Sequence, residues 1–392
     1  MDHRGETMHD VAIIGLGQVP VGEHWDMGLR QLALGAIHAA LQDAGIERVD
    51  ALIVGNALGG NLSAQNHLGT LIADFAGLSG VEAWRVEAAD ASGGMALRQG
   101  YLAVASGQAE TVLVVGVEKA TDRTGSERET ALTTLLDADY EATPGGTPAA
   151  MAALLMRRYM HEFGVTLEQF EPFSINAHAN GALNANAMYR NKLRPGAFAK
   201  APIVADPVNL FDSAPEGDGA AAVVLTRARA ALDMVPQPVL IKGSAAATDT
   251  LALHNRPDLL FLRAANLAAG RAYEQAGIRP ADLHLAELHD SFTVLTALQL
   301  EAIGFAARGA GWKLAVEGAI QRGGRLPIST FGGLKARGNP LGATGVYQAV
   351  EVALQLRGAA GDNQVPGARL GLALNLGGLG STAVAHVLER ME

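Results

Sequence analysis

Apolar residues along this chain follow two alternating rhythms. Short unbroken apolar runs occur in DVAIIGLGQVP from Asp10, ALIVGNAL from Ala51, residues 84–88 and TVLVVGVEK from Thr111. Each reads as a strand buried on both faces. Between them apolar positions recur every three or four residues, at 28–45, 65–75 and from Ser92 onward, and read as helices. Gly45 supplies a helix-ending residue for the first of these. The succession begins again at QPVLIKGSAAATDT from Gln237. It continues with a helix at 262–276, a strand at 283–288, a helix from Ser291, a loop with an amphipathic helix over 346–356, and strands at Arg369 and Thr382. Strands and helices in that order form a parallel or mixed sheet covered on both faces. The pattern therefore predicts an α/β protein of two similar halves, residues 1–235 and 236–392. Residues from about 121 to 215 break the rhythm with a Gly-Pro turn at 143–148, helices at 149–163 and 167–181, and an Asn-rich stretch. They are expected to form a lid lobe inserted in the first half.

Bulk properties narrow the classes. A chain of 392 residues is long enough for two large domains. No apolar run reaches the roughly 18 residues that cross a bilayer, and MDHRGETMHD does not have the features of a signal peptide. Neither a membrane nor export is expected, and the expected compartment is the cytoplasm. A net charge of −10 argues against nucleic acid as the main partner but permits a local basic patch. The chain has no cysteine, so disulfides, thiolate metal sites and a cysteine nucleophile are excluded. There is no HExxH, no histidine pair at ligand spacing, no Walker loop, and no dinucleotide fingerprint after the first strand. No metal is expected, and no nucleotide other than the one considered below.

Four segments carry candidate chemistry: VEAADASGGMALRQGYLAVASG from Val86, LAELHDSFTVLTALQLEAIGF from Leu285, GGLKARGNPLGATG from Gly332 and LALNLGGLGSTAVAHVLE from Leu372. Ligands in α/β sheets sit beyond the carboxyl ends of strands, where three of these segments turn into helices. The fourth is a strand-to-strand turn placed to wall the same cleft. Asp90 has two readings from its own residues. It is an N-cap, worth about 1 kcal/mol over Ala, or a general base whose pKa burial raises and the helix dipole lowers. His289 is either a satisfied strand-end histidine or a donor to developing negative charge. Asp290 beside it reads as a helix cap. Tyr347, one turn past the GNP loop, is either a proton mover or packing.

Taken in order with the middle block MRRYMHEFGVT to DPVNLFDSAPEGDGAAAVVL, these segments resemble the thiolase superfamily, above all its sterol-carrier-type and archaeal members, from about Val11 to His386. The resemblance implies the thiolase fold, coenzyme A in the form of an acyl-CoA substrate, and a homodimer. It places the family's nucleophilic cysteine at Asp90, a frequent second cysteine at Ser291, and the histidine of Gly-His-Pro at Asn339. None of the three is retained, and an amide cannot shuttle a proton at pH 7. Claisen chemistry through an acyl-cysteine is therefore unavailable to this chain. His289 is retained and is implied to serve an oxyanion hole. Gly377, Gly378 and Gly380 resemble the turn that closes the second one. Ser92, Gly93 and Gly342 are implied to line the pantetheine tunnel, with His178, Asn180 and Asn184 as further candidates. Arg157, Arg158, Arg190, Lys192 and Lys200 are candidates for the phosphates of coenzyme A, or else a solvated, ion-paired helix face. Three functions follow. The first makes or breaks a carbon–carbon bond of a CoA thioester without an acyl-cysteine, as in the thiolase-like retro-aldolases of steroid side-chain breakdown, which work with a small OB-fold/zinc-ribbon partner. The second is a conventional acetyl-CoA acyltransferase. The third is a non-catalytic acyl-CoA-binding scaffold subunit.

Overall fold

The structure is a computed structural model that describes residues 9–391. Its strands are β1 (Val11–Gln18), β2 (Ala51–Gly55), β3 (Glu82–Val86), β4 (Thr111–Glu118), β5 (Ile203–Ala205), β6 (Val208–Asn209), β7 (Gly219–Arg227), β8 (Val239–Thr248), β9 (Leu285–Glu287), β10 (Leu370–Gly377) and β11 (Thr382–Arg390). Nine of them form one mixed sheet in the order β3-β2-β4-β7-β1-β8-β11-β10-β9, while β5 and β6 form a separate ribbon in the lid lobe. Val112–Val115 of β4 are fully buried, as an apolar run predicts for a strand covered on both faces. Each such side chain contributes about 1.5–3 kcal/mol relative to exposure.

The sheet repeats itself. In one half β2 runs parallel to β3 and β4, and β7 lies antiparallel between β4 and β1. In the other, β9 runs parallel to β10, and β11 lies antiparallel between β10 and β8. A single parallel bridge from Ala286 to Ile328 stands where a counterpart of β3 would be. The halves join where Ala12 and Ile13 of β1 meet Leu240 and Val239 of β8. The predicted strand at 84–88 lies two residues earlier, because the chain leaves the sheet and turns through Ala89 at φ 52°. Strand β7 has no counterpart among the predicted elements, although its run GAAAVVLTR is buried from Gly219 to Thr226.

Helices Ser92–Ala105 and Thr344–Leu356 lie side by side between the two halves, and each packs on strands of both. Glycine makes that approach possible. A Cβ on Gly345 would lie 2.2 Å from the nitrogen of Gly94, and one on Gly93 would lie 2.8 Å from the oxygen of Gly342. Helix Thr344–Leu356 is buried almost all round, not amphipathic as its sequence suggests. Two of its polar positions are held internally: the Nε2 atoms of Gln348 and Gln355 donate to the carbonyls of Leu374 and Asn363. Helices Leu29–Ala44 and Arg263–Ala276 cover the outer faces of the first and second halves. In the lid lobe, helix Pro148–Phe163 starts with Thr147 accepting from the Ala150 amide and ends at Gly164 in the left-handed region. Among the described residues no helix is long and apolar enough to cross a membrane.

Candidate active site

The turn between β3 and helix Ser92–Ala105 presents Asp90. Ser92 shapes it, accepting from the Ala88 amide at 2.9 Å and donating to the Ala89 carbonyl at 2.5 Å. Asp90 does not cap the helix that follows, whose N-cap position is Ala91 with no side-chain cap. Its Oδ2 instead accepts from the amide of Gly378, 3.3 Å away in the turn between β10 and β11. Gly378 can aim its N–H there because it sits at φ 54°. Asp90 is 7% exposed. Burial raises its pKa from 3.8 to about 7 against the pull of the Gly378 amide, and the charges of Glu216 and Glu87 add to the rise.

Asp90 lines a small cavity of about 50 Å³ together with Asn339, Ser291, Gly378 and Glu216. Leu132, Leu135 and Leu136 of the lid lobe, with Phe292 and Leu379, give it apolar walls. Asn339 is fixed by its main chain, which donates to the Pro215 carbonyl at 2.8 Å and accepts from the Gly217 amide at 3.0 Å. Its Oδ1 accepts from the Leu341 amide and from Thr344 Oγ1, both at 3.1 Å. Its Nδ2 has no partner among the described residues, so the side chain offers a donor. The same ladder holds Glu216 opposite Asn339. Glu216 was absent from the sequence-based candidates. It sits in a Pro-Glu-Gly turn with Asp212 and Asp218 nearby in sequence, and only the fold brings it to Asp90. Burial raises its pKa too, while Arg128 opposes the rise.

His289 is 1% exposed and does not line this cavity. Gln299 clamps its main chain through both Oε1 and Nε2. Asn375 Nδ2 donates to His289 Nδ1 at 3.2 Å, and Asn375 Oδ1 accepts from the Gly94 amide at 3.1 Å. One amide thus ties the histidine to the helix that begins two residues after Asp90. An acceptor role for Nδ1 puts the ring proton on Nε2. Burial lowers the imidazole pKa to about 3, with the positive charge of Arg337 adding to the effect, so the ring is neutral. Ser291, two residues on, does reach the cavity. Asp290 is a cap, though of another helix: it accepts from the Leu334 amide at 2.7 Å in the first turn of Gly333–Ala336.

Several expected ligand positions have other roles. Tyr347 is fully buried and donates to the Val19 carbonyl at 2.5 Å, with the Arg337 guanidinium 4.8 Å above its ring. It packs the core and does not reach the cavity. Ser92, Gly93 and Gly342 are buried and do not border this cavity. Ser92 holds its own turn. Gly93 and Gly342 press against each other, and Gly342 also donates to buried Glu118 at 3.1 Å. Asn180 and Asn184 donate to the carbonyls of Ser329 and Phe331, clamping the chain that leads into the Gly-rich loop. Arg157 pairs with Asp206 and Arg158 with Glu162 on the lid surface, the ion-paired alternative for these two. Arg190 is exposed and lines neither this cavity nor the next. Lys192 and His178 border a second cavity of about 420 Å³, where Lys335 also lies. Gly377 packs on the Ala88 carbonyl, and Gly380, at φ 85°, turns the chain into β11.

Two α/β half-sheets that present strand-end corners to one small carboxyl-lined cavity define a doubled α/β protein with a cleft at the switch between its halves. The description "Thiolase, N-terminal domain" matches residues 11–202, and "Thiolase C-terminal domain-like" matches 245–390. The chain belongs to the thiolase superfamily. It is 43% identical to the acetyl-CoA acetyltransferase of Methanothermobacter thermautotrophicus, over 98% of this chain and 100% of that protein. It is 30% identical to the 17-hydroxy-3-oxo-4-pregnene-20-carboxyl-CoA lyase of Mycobacterium tuberculosis, over 88% of this chain and 91% of that one. Among solved structures it resembles the Ltp2-ChsH2(DUF35) aldolase with a TM-score of 0.85 and 26% identity, each chain covered to 97%.

Proposed function

We propose that this protein makes or breaks a carbon–carbon bond of an acyl-CoA by retro-aldol type chemistry, without a covalent acyl-enzyme. One observation carries the reading: a buried carboxyl, Asp90, occupies the strand-to-helix corner where the resemblance places a nucleophilic cysteine, and no sulfur nucleophile exists anywhere in the chain. Cleaving a 3-hydroxyacyl-CoA requires a base for the hydroxyl proton and donors for the enolate oxygen. Asp90, with a pKa near neutrality, suits the first task. The Nδ2 amide of Asn339, on the cavity wall, suits the second. The similarity to an aldolase and to a CoA lyase supports this reading, and that to an acetyltransferase supports the CoA thioester. A homodimer, cytoplasmic residence and a partner of the DUF35 kind belong to the same proposal.

The test uses the full chain, alone and with a DUF35-type partner. Acetyl-CoA is measured after addition of 3-hydroxyacyl-CoA thioesters. Asp90→Asn should abolish cleavage and leave CoA binding intact, whereas full activity in that variant removes Asp90 from the chemistry. A second reading, a non-catalytic acyl-CoA-binding subunit, is favoured by the Gly378 amide, which Asp90 already occupies. Tight acyl-CoA binding with no turnover under any of these conditions would establish it.

A further inference from the structure

Glu216 is the one carboxyl besides Asp90 on the cavity wall among the described residues, and the fold fixes it there. Its neighbours Pro215 and Gly217 are both hydrogen-bonded to Asn339, at 2.8 and 3.0 Å, so Glu216 is a rung of the ladder that carries the GNP loop. Asp90 is anchored from the opposite half by Gly378. Two carboxyls on independent rigid supports thus share one pocket walled by leucines and a phenylalanine. No lysine or arginine lines it. A volume of about 50 Å³ accommodates about two water-sized groups at roughly 30 Å³ each.

Resting on the functional reading above, we propose that Glu216 is a second catalytic carboxyl that shares one proton with Asp90. We infer further that the pocket selects 3-hydroxyacyl-CoA thioesters whose departing carbonyl fragment is small, apolar and uncharged. The ionised member of the pair takes the proton of the 3-hydroxyl. The O–H electrons form the new C=O bond, the Cα–Cβ bond breaks, and its electron pair becomes the thioester enolate. The protonated member then gives its proton to Cα. One carboxyl gains a proton and the other loses one, so the products are a neutral aldehyde or ketone and an acyl-CoA, with no outside reagent. Like charges close together in an apolar pocket resist double ionisation, which keeps one proton on the pair near neutral pH. A fragment bearing its own carboxylate would meet two acids and no lysine or arginine on the wall, with the charge of Arg128 reaching Glu216 only from outside it.

The full chain is assayed with 3-hydroxybutyryl-CoA, which would release acetaldehyde and acetyl-CoA, and with 3-hydroxyglutaryl-CoA, whose fragment is an anion. The wild type should show a bell-shaped pH profile and at least a hundredfold preference for the uncharged substrate. Glu216→Gln should lose about 10²–10⁴-fold in kcat together with one limb of the profile, and Glu216→Asp should recover that limb. The Asp90 carboxyl, followed by its infrared band in unliganded protein, should titrate at lower pH in Glu216→Gln, a readout that does not depend on turnover. A wild type that cleaves normally while Glu216→Gln keeps its rate and both limbs overturns the carboxyl pair alone. Equal turnover of the anionic substrate overturns the selectivity alone. A wild type that cleaves no 3-hydroxyacyl-CoA overturns the functional reading and this proposal with it.

Discussion

Replacing Asp90 with Asn should make the protein more stable, and the gain should depend on pH. Asn keeps an oxygen for the Gly378 amide but carries no charge. The carboxyl titrates near 3.8 in the unfolded chain and near 7 in the buried site. Below pH 4 it is protonated in both states and makes no difference. Between pH 4 and 7 the unfolded chain releases its proton while the folded protein holds it, so stability falls as pH rises and levels off above 7. At about 1.36 kcal/mol per pH unit, the full effect is about 4 kcal/mol. The advantage of Asp90→Asn should therefore grow by about 3 kcal/mol between pH 5 and pH 8. For a chain of 392 residues that is roughly 3 °C in Tm. Thermal and urea unfolding of both proteins at the two pH values measures it. A stability difference that stays constant, or shrinks as pH rises, would mean that Asp90 is not held protonated by burial, and its fitness as a neutral-pH base would go with it.

Other positions test other parts of the structure. Gly345→Ala would set a methyl 2.2 Å from the Gly94 nitrogen and from Asn375 Oδ1. It should cost about 1–3 kcal/mol in urea unfolding, and an unchanged midpoint would show that the two central helices are not packed this tightly. Asn375→Ala strands the Gly94 amide and His289 Nδ1 at a cost of about 1–3 kcal/mol. Nitrogen NMR should then show His289 as a mixture of tautomers, while a pure Nε2–H ring in that variant would mean that something else sets the proton. Tyr347→Phe removes a hydrogen bond to Val19, worth about 1 kcal/mol. It should leave kcat within a few-fold of wild type, and a hundredfold loss would return the phenol to the mechanism.

Much of the architecture was legible in the sequence because it depends on near neighbours. Apolar runs such as VLVVGVE set a buried strand, glycines such as Gly45 stop a helix, and the missing cysteines follow from composition alone. The order of motifs was enough to indicate the family. What Asp90 does was not legible, because its partner Gly378 lies 288 residues away and meets it only through the register of two half-sheets. Local chemistry left an N-cap and a general base both open, and tertiary packing removed the cap. The same holds for Glu216, delivered by a ladder to Asn339, and for Tyr347, which the sequence left between proton transfer and packing and the fold buried. Sequence specifies which groups are available. Desolvation and long-range register decide which of them face one another and in what charge state, and those quantities exist only once the chain is folded.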